Sequence, residues 1–309
     1  MMEYLPEGIL FEQAENKACL QSVSALYEAM AEGRILEGRA LLCGEDHSLT
    51  VDLGPVRGIM PRLEAAMGIA EGTTRDIAII SRVGRPVAFV ITAMERDAAG
   101  RITATLSRRQ AQQRCVQEYL SLLRPGDIIP ARITHLESFG AFTDIGCGVV
   151  SLIPIDMISV SRISHPRDRF RPGQLIRAVV RSLEGGRISL SHKELLGSWS
   201  ENAAAFSPGE TVSGIVRSVE DYGIFVELTP NLAGLAEPKP GVLPGQQASV
   251  FIKSILPEKM KVKLIVIDAF DDPQPPALFR YRQTAGHLSR WRYSPPQCPR
   301  VVETVFDEV

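Results

Sequence analysis

The sequence predicts a mainly β protein of three tandem five-stranded barrels, joined by short helices, with an N-terminal helix and a C-terminal tail. One observation behind this prediction is the density of short β-rich runs, five in each of three successive segments, separated by glycine and proline. The other is a pattern that occurs twice, in which two aromatic residues surround a glycine downstream of a Pro-Gly turn. Recurrence at a fixed spacing indicates a duplicated structural unit.

The repeated aromatic pattern is the strongest functional signal in the chain. Residues three apart on a regular strand point to opposite faces, so both rings share a face only if a bulge or tight bend at the glycine re-aims one of them. A shared face predicts a platform for stacking nucleic-acid bases, and the alternative is that the rings are core residues. The two copies are Pro125-Gly126 followed by Phe139-Gly140-Ala141-Phe142, and Pro208-Gly209 followed by Tyr222-Gly223-Ile224-Phe225.

The composition is that of a globular protein with room for two or three domains. The chain has 309 residues, of which 45% are hydrophobic and 23% charged, and its formal net charge is −2. This balance excludes a polycation that coats duplex DNA, so nucleic-acid contacts must come from local basic patches. The five cysteines are scattered without C-x-x-C spacing, which predicts neither a disulfide framework nor a zinc site.

Several other classes of function are not indicated. No apolar run is long enough for a membrane span and the first residues lack the layout of a signal peptide, so we expect a cytoplasmic protein. The chain has no glycine loop for phosphates and no paired-carboxylate motif, and its five histidines have no metal or catalytic spacing. We interpret the histidines as surface or turn residues, and expect no enzymatic activity, cofactor, metal, membrane partner or small-molecule substrate.

The order of the elements follows from hydrophobic spacing. Apolar residues at spacings of three and four predict an amphipathic helix from Glu15 to Glu32, and similar spacings predict connectors from Arg108 to Leu123 and from Glu194 to Phe206. The predicted segments are an N-terminal helical segment (1–34), a first barrel (35–108), a linker helix (109–123), a second barrel (124–193), a helical linker (194–205), a third barrel (206–268) and a tail rich in Pro, Arg and aromatic residues (269–309).

The second and third segments resemble the S-one (S1) RNA-binding domain, an OB-type (oligonucleotide-binding) five-stranded barrel named after a bacterial small-subunit ribosomal protein. The resemblance rests on glycine at the first strand, the aromatic pair at the second and, in the second segment, the closing run Arg187–Ser191. The first segment resembles a degenerate member, with Gly38, Gly58 and Gly100. The resemblance covers residues 35–268, and the order of the units is similar to the short S1 proteins of Gram-positive bacteria.

The resemblance implies that single-stranded RNA binds across the barrel face, with the aromatic pair stacking on bases, a histidine on the third strand and a basic residue near the fifth. The histidine position holds Pro61, Pro154 and Glu237 in the three units. The first unit has no aromatic pair, since its second strand offers Leu49 and Val51, and we expect it either to bind RNA weakly or to serve another partner. Phe139, Phe142, Tyr222 and Phe225 match the stacking positions, and Arg187 and Lys261 match the basic position.

Further basic residues surround the predicted stacking positions, most densely in the second unit. An arginine-rich loop is commonly only a solvated face, but beside an aromatic pair phosphate contact is the better interpretation. The additional residues predicted to contact RNA are Arg162, Arg169, Lys193 and Lys253.

The tail mixes residue types that are enriched at interfaces and in RNA contacts. One interpretation is that Arg290, Trp291, Arg292 and Tyr293 contact RNA or a partner, and the other is that the tail wraps back on the third barrel with Trp291 in a groove. The proline-rich stretch Pro273–Pro276 suits a semi-rigid tether, which favours the first interpretation.

Together these features predict a non-enzymatic protein that binds single-stranded RNA, specifically messenger RNA in translation, with low sequence preference. The small ribosomal subunit is a candidate partner. Two alternatives stay open: an RNA-decay or regulatory factor that never joins the ribosome, and a protein-interaction scaffold.

Overall fold

The computed structural model describes residues 4–272 and 279–307, and in these residues fifteen of the seventeen strands close three five-stranded barrels. The predicted fold class is therefore confirmed. The first barrel contains β1 (Leu36–Cys43), β2 (Leu49–Leu53), β3 (Val56–Met60), β4 (Pro86–Arg96) and β5 (Ile102–Ser107). The second contains β6 (Ile128–Glu137), β7 (Gly140–Asp144), β8 (Val150–Pro154), β9 (Leu175–Glu184) and β10 (Arg187–Ser191). The third contains β11 (Thr211–Glu220), β12 (Gly223–Thr229), β13 (Leu232–Ala236), β14 (Gln247–Leu256) and β15 (Lys261–Phe270).

All three barrels share one topology. Around each barrel the strands follow the order first, second, third, fifth, fourth, and the fourth pairs back with the first. The third and fifth strands are parallel in every barrel, while the other strand pairs with a recorded register are antiparallel. This is the architecture of the OB-type barrel.

The α-helices are short, and two of them lie between successive barrels in the chain. The α-helices are α1 (Ala14–Leu20), α2 (Val23–Ala31), α3 (Ile77–Ile80), α4 (Arg108–Glu118) and α5 (Trp199–Ala203). Single 3-10 turns cover Leu10–Glu12, Arg62–Glu64, Leu120–Leu122, Ile155–Met157, Pro166–Asp168, Lys193–Leu196 and Pro257–Lys259.

The single N-terminal helix predicted from Glu15 to Glu32 is wrong, because the chain forms two helices there. Ser22 separates them with extended backbone angles (φ −124°, ψ 125°). Its side chain accepts a hydrogen bond from the amide of Ala25 and so caps α2. Serine at this position satisfies an amide that the start of a helix otherwise leaves unpaired.

The chain divides into two compact units. The first comprises residues 1–123 with 144–150 and holds the first barrel, whose core includes the fully buried Leu26 from α2. The second comprises residues 124–143 with 151–309 and holds the third barrel, most of the second and the C-terminal segment. Side chains alternate between the core and the surface along the first part of β15 in the third barrel. Val262, Leu264 and Val266 point into the core, while Lys261 and Lys263 are exposed.

The C-terminal segment, residues 279–307, is a folded part of the second unit. Its strands β16 (Arg290–Arg292) and β17 (Glu303–Val305) pair with each other. Trp291 and Tyr293 are buried in the core of the third barrel, and the Tyr293 hydroxyl donates a hydrogen bond of 2.7 Å to the carbonyl of Asn231. The interpretation of these two residues as RNA or partner contacts is therefore wrong. The proposed tether Pro273–Pro276 lies outside the described residues.

One histidine is also not where the sequence predicts it. His192 is fully buried, and the rings of Phe279 and Tyr281 from the C-terminal segment pack against it with centroids 4.6 and 5.5 Å away. Its Nδ1 lies 2.9 Å from the carbonyl of Ile158. Burial lowers the pKa of His192 to about 4, so the ring is neutral and structural near neutral pH.

Candidate nucleic-acid interface

The two aromatic pairs have nearly the same geometry. The ring centroids of Phe139 and Phe142 are 5.9 Å apart with an interplanar angle of 87°, and those of Tyr222 and Phe225 are 6.1 Å apart at 86°. The first ring of each pair is 55% and 68% exposed, respectively, and the second is half-buried. In each pair, therefore, one ring is largely exposed and lies nearly at right angles to the other.

A tight bend brings each pair together. Phe139 and Tyr222 lie in the turns that precede β7 and β12, so strand alternation does not apply to them, while Phe142 and Phe225 lie on the strands. Each ring of the pair can then reach the same side of the barrel.

The glycine of each pair allows the second and third strands to approach closely. A Cβ atom on Gly140 would lie 2.5 Å from the carbonyl oxygen of Ile153, and one on Gly223 would lie 2.6 Å from that of Ala236. Any larger residue would push these strands apart directly beneath the rings.

Strand register identifies the position in the first barrel that is equivalent to the second ring. The hairpins β1–β2 and β11–β12 carry a register irregularity at the same place. Just after it, Phe225 pairs with Ser218 in the third barrel and Thr50 pairs with Leu42 in the first. Thr50 therefore occupies the position of Phe225.

The same register places His47 at the position of Tyr222. The residues that the sequence assigns to this strand of the first barrel, Leu49 and Val51, are buried in its core at 0% and 1% exposure, so they do not occupy the stacking positions. His47 is in the left-handed region (φ 59°), and its Nδ1 lies 3.7 Å from Asp76.

The fifth strands align in the same way. Lys263 pairs with Leu235 and Ser189 pairs with Leu152, and these two leucines contact the equivalent glycines of their barrels. Two residues earlier on each fifth strand are Lys261 and Arg187. Both side chains are exposed, and the two residues occupy equivalent positions in their barrels.

A groove of about 970 Å³ runs along the face of the third barrel, next to Tyr222 and Phe225. It is lined by five basic and two acidic side chains, so its net charge is positive although that of the whole chain is not. Lys253 lies 3.9 Å from Glu237, one of the two acidic residues. The charged lining residues are Lys253, Lys259, Lys261, Lys263, Arg300, Glu237 and Glu258.

Three of these basic residues were not predicted from the sequence. Lys263 could have been found, because it follows Lys261 by two positions and lies on the same face of β15. Lys259 lies in the turn before that strand. Arg300 could not have been found, since it reaches the groove through the packing of the C-terminal segment.

The basic residues predicted in the second barrel lie in different environments. Arg162 is exposed, as is Arg187, and Lys193 is half-buried with its Nζ 3.5 Å from the carbonyl of Asp156. His135, which was not predicted, adds a third ring with its centroid 6.2 Å from that of Phe142.

Arg169 does not belong to this face. It is only 2% exposed, and its Nη2 donates a hydrogen bond of 2.5 Å to the carboxylate of Glu227 in the third barrel. Its predicted role as a direct contact on the stacking face is therefore corrected. Of the predicted contacts in the C-terminal segment, Arg290 is exposed and paired with Glu303, and Arg292 is exposed.

Metal-binding clusters and membrane-spanning helices were also considered for the residues that the structure describes. Residues 4–272 and 279–307 bring no three His, Cys, Asp or Glu side chains together in a group that could hold a metal ion. None of the helices in these ranges has the length and apolar character that a membrane crossing requires.

Comparison with known families agrees with the barrel architecture. The S1 RNA binding domain model matches residues 122–193, which span the second barrel.

The chain is also similar to ribosomal proteins. It is 32% identical over 159 residues to the small ribosomal subunit protein bS1 homolog of Bacillus subtilis, covering 50% of this chain and 39% of that protein. It is 31% identical over 187 residues to bS1 of Staphylococcus saprophyticus, covering 60% of this chain and 44% of that protein. The aligned regions thus span less than half the length of these relatives.

Among solved structures, a multidomain protein with nucleic acid binding domains from Streptococcus pneumoniae aligns with this chain, and the alignment covers 76% of this chain and 74% of the chain of that protein. The sequence identity is 14% and the TM-score is 0.25.

Proposed function

We propose that this protein binds single-stranded RNA by stacking bases on its two aromatic pairs and by holding the backbone with basic side chains around them. The observation that carries the proposal is the matched geometry of the pairs, whose rings meet nearly at right angles with centroids 5.9 and 6.1 Å apart. An exposed aromatic ring offers a π face to any base, so the binding has low sequence preference.

The charge around the pairs supports this proposal. Lys261 and Lys263 lie beside Tyr222 and Phe225 in the groove of the third barrel, while Arg187 occupies the equivalent strand position in the second. A basic groove that follows aromatic stacking positions is the usual arrangement for binding a single strand. Two linked barrels raise the overall affinity because binding at one increases the effective concentration at the other.

The biological setting that we propose is translation in the cytoplasm, with messenger RNA as the ligand, no catalytic step and the small ribosomal subunit as a partner. The similarity to proteins named bS1 supports it. Cosedimentation with ribosomes, combined with sequencing of RNA crosslinked in cells, tests it. RNA crosslinks without ribosome association would favour a decay or regulatory factor instead.

A protein-binding role for the first barrel is the second candidate. Leu41, Leu42 and Ile77 in the first unit are 52%, 57% and 64% exposed, and exposed apolar side chains indicate an interaction surface where they form one contiguous patch. Salt dependence separates the two functions, because phosphate contacts weaken steeply as salt rises and apolar contacts do not.

The stacking proposal is tested by replacing Phe139 and Phe142 together with alanine. We expect RNA affinity to fall by about 1–3 kcal/mol for each base that loses its stacking partner, measured by fluorescence anisotropy. Circular dichroism should show an intact fold. The double leucine variant is the control for packing, since it retains apolar volume without a π face.

Two results would contradict this expectation. Retained affinity in the double leucine variant would show that the rings act by packing alone. Unfolding of the alanine variant would show that they are core residues, and the single Phe139→Ala change, at the more exposed position, then tests stacking in a folded protein.

A further inference from the structure

A second groove, distinct from the faces that carry the aromatic pairs, lies between the second and third barrels inside the second unit. It has a volume of about 610 Å³ and is lined by the loop Arg167–Arg171 on one side and by β11 on the other. Ser213, Ile215 and Arg217 alternate along β11 and line the groove together with the backbone at Gly214, while Val216 points into the barrel core. We call this the interbarrel groove.

Its floor is an ion-pair network that leaves positive charge in excess. The carboxylate of Glu227 accepts hydrogen bonds from Arg169 Nη2 at 2.5 Å and from Arg217 Nε at 2.7 Å. The side chain of Arg217 also lies 3.7 Å from Asp168. Because two carboxylates face four guanidinium groups, two positive charges remain. The four arginines are Arg167, Arg169, Arg171 and Arg217.

The network also contains a donor without an acceptor. Arg169 is only 2% exposed, and its Nε has no hydrogen-bond partner among the described residues. A buried polar group without a hydrogen-bond partner destabilises a fold, and more so when the side chain is charged. The two carboxylates of the network, on Asp168 and Glu227, therefore do not satisfy all of its guanidinium donors.

The rim of the groove supplies the groups that recognise phosphate. Arg167 and Arg171 are exposed, and Arg171 Nη1 is held by a hydrogen bond of 3.0 Å to the carbonyl of Phe170. The planar fork of a guanidinium group matches the oxygens of a phosphate.

The geometry points to the interbarrel groove as a binding site for a backbone phosphate of the same single-stranded RNA that stacks on the third barrel. This inference rests on the proposed function. Tyr222 follows the end of β11, so it lies about 20 Å along that strand from Ile215 at a rise of about 3.3 Å per residue. A strand of RNA that leaves the aromatic pair along β11 reaches the groove.

The test compares the salt dependence of RNA binding in three full-length proteins. They are the wild type, Arg167→Gln with Arg171→Gln in the groove, and Arg75→Gln with Arg96→Gln as a control. The control removes the same charge from exposed positions in the first unit. For a long oligouridine, we expect the slope of log affinity against log salt to become shallower by about 0.7 for each phosphate that is no longer neutralised, and only in the groove variant.

Oligonucleotide length sharpens the test. An oligouridine of about 4 nucleotides, at the lower end of the site size for one barrel, should bind the groove variant and the wild type equally. Melting temperatures in inorganic phosphate at constant ionic strength show whether a free anion takes the site.

Equal slopes for wild type and groove variant on the long oligonucleotide would overturn the inference, even if the aromatic variants still lose affinity. Stabilisation by phosphate together with equal slopes would overturn it too, by assigning the groove to a free anion. Failure of the wild type to bind any RNA would instead overturn the proposed function, and this inference with it.

Discussion

The first and third barrels have the same backbone plan and different surfaces. Their strands pair in the same order, and their first hairpins share a register irregularity at the same place. The difference lies at four positions that the register makes equivalent, so the two surfaces differ through side chains placed on a fold that does not itself require them. These positions hold Tyr222, Phe225, Lys261 and Lys263 in the third barrel and His47, Thr50, Thr103 and Thr105 in the first.

The barrels also differ in what completes their cores. Leu26 from α2 is fully buried in the core of the first barrel. The third barrel instead takes Trp199 from α5 and Trp291 and Tyr293 from the C-terminal segment. The third barrel therefore depends on residues far along the chain, and its groove gains Arg300 from the same segment.

The largest expected effect is on stability, and it comes from removing the Trp291 side chain from the core of the third barrel. Trp291→Ala should lower the free energy of unfolding by about 3–5 kcal/mol, because Trp291 is only 8% exposed and its loss leaves a cavity. Urea denaturation measures this change. Arg290→Ala is the control, since an exposed ion pair contributes about 0–1 kcal/mol. Unchanged stability with lost RNA binding would restore the partner-contact interpretation of Trp291.

Giving the third barrel the residues that the first barrel has at the aromatic positions tests whether this difference accounts for RNA binding. Tyr222→His with Phe225→Thr should weaken RNA binding by about 1–3 kcal/mol per stacked base, measured by titration. The matched control, His47→Ala with Thr50→Ala, should leave affinity nearly unchanged. A comparable loss in both variants would mean that the first barrel binds RNA despite lacking the pair.

The lysines of β15 should contribute a smaller, salt-dependent part. Lys261→Thr with Lys263→Thr gives the third barrel the threonines of the first. We expect the slope of log affinity against log salt to become shallower by about 0.7 for each phosphate that these lysines neutralise in the wild type. Replacing both lysines with arginine keeps the charge and should keep the slope. An unchanged slope in the threonine variant would place the RNA backbone elsewhere.

The differences between the barrels that depend on local sequence could be predicted, and those that depend on distant packing could not. The aromatic pairs follow from a turn, a glycine and strand alternation, all within a few residues of Phe139 and Tyr222. Arg169 lies in an arginine-rich loop, which suggests a surface position. In the structure its side chain is buried in an ion pair with Glu227 from another barrel. The burial of Trp291 likewise depends on where the C-terminal segment packs. Composition alone could not decide either case, because both outcomes suit the same residue types.

The smallest expected effect concerns how the C-terminal segment is attached to the second barrel at different pH values. His287 lies 2.8 Å from Asp127 and 3.0 Å from Asp307, and the hydrogen bond to Asp127 is the main reason that the pKa of His287 is raised. A group with a raised folded-state pKa stabilises the fold below its unfolded pKa of about 6.5, and this contribution is lost as pH rises through the folded value. The melting temperature of the wild type relative to His287→Gln should therefore be higher at pH 5.5 than at pH 8.5. The difference should be small because the side chain is 33% exposed. A gap between the two proteins that is the same at both pH values would show that the charge on His287 does not hold the segment in place.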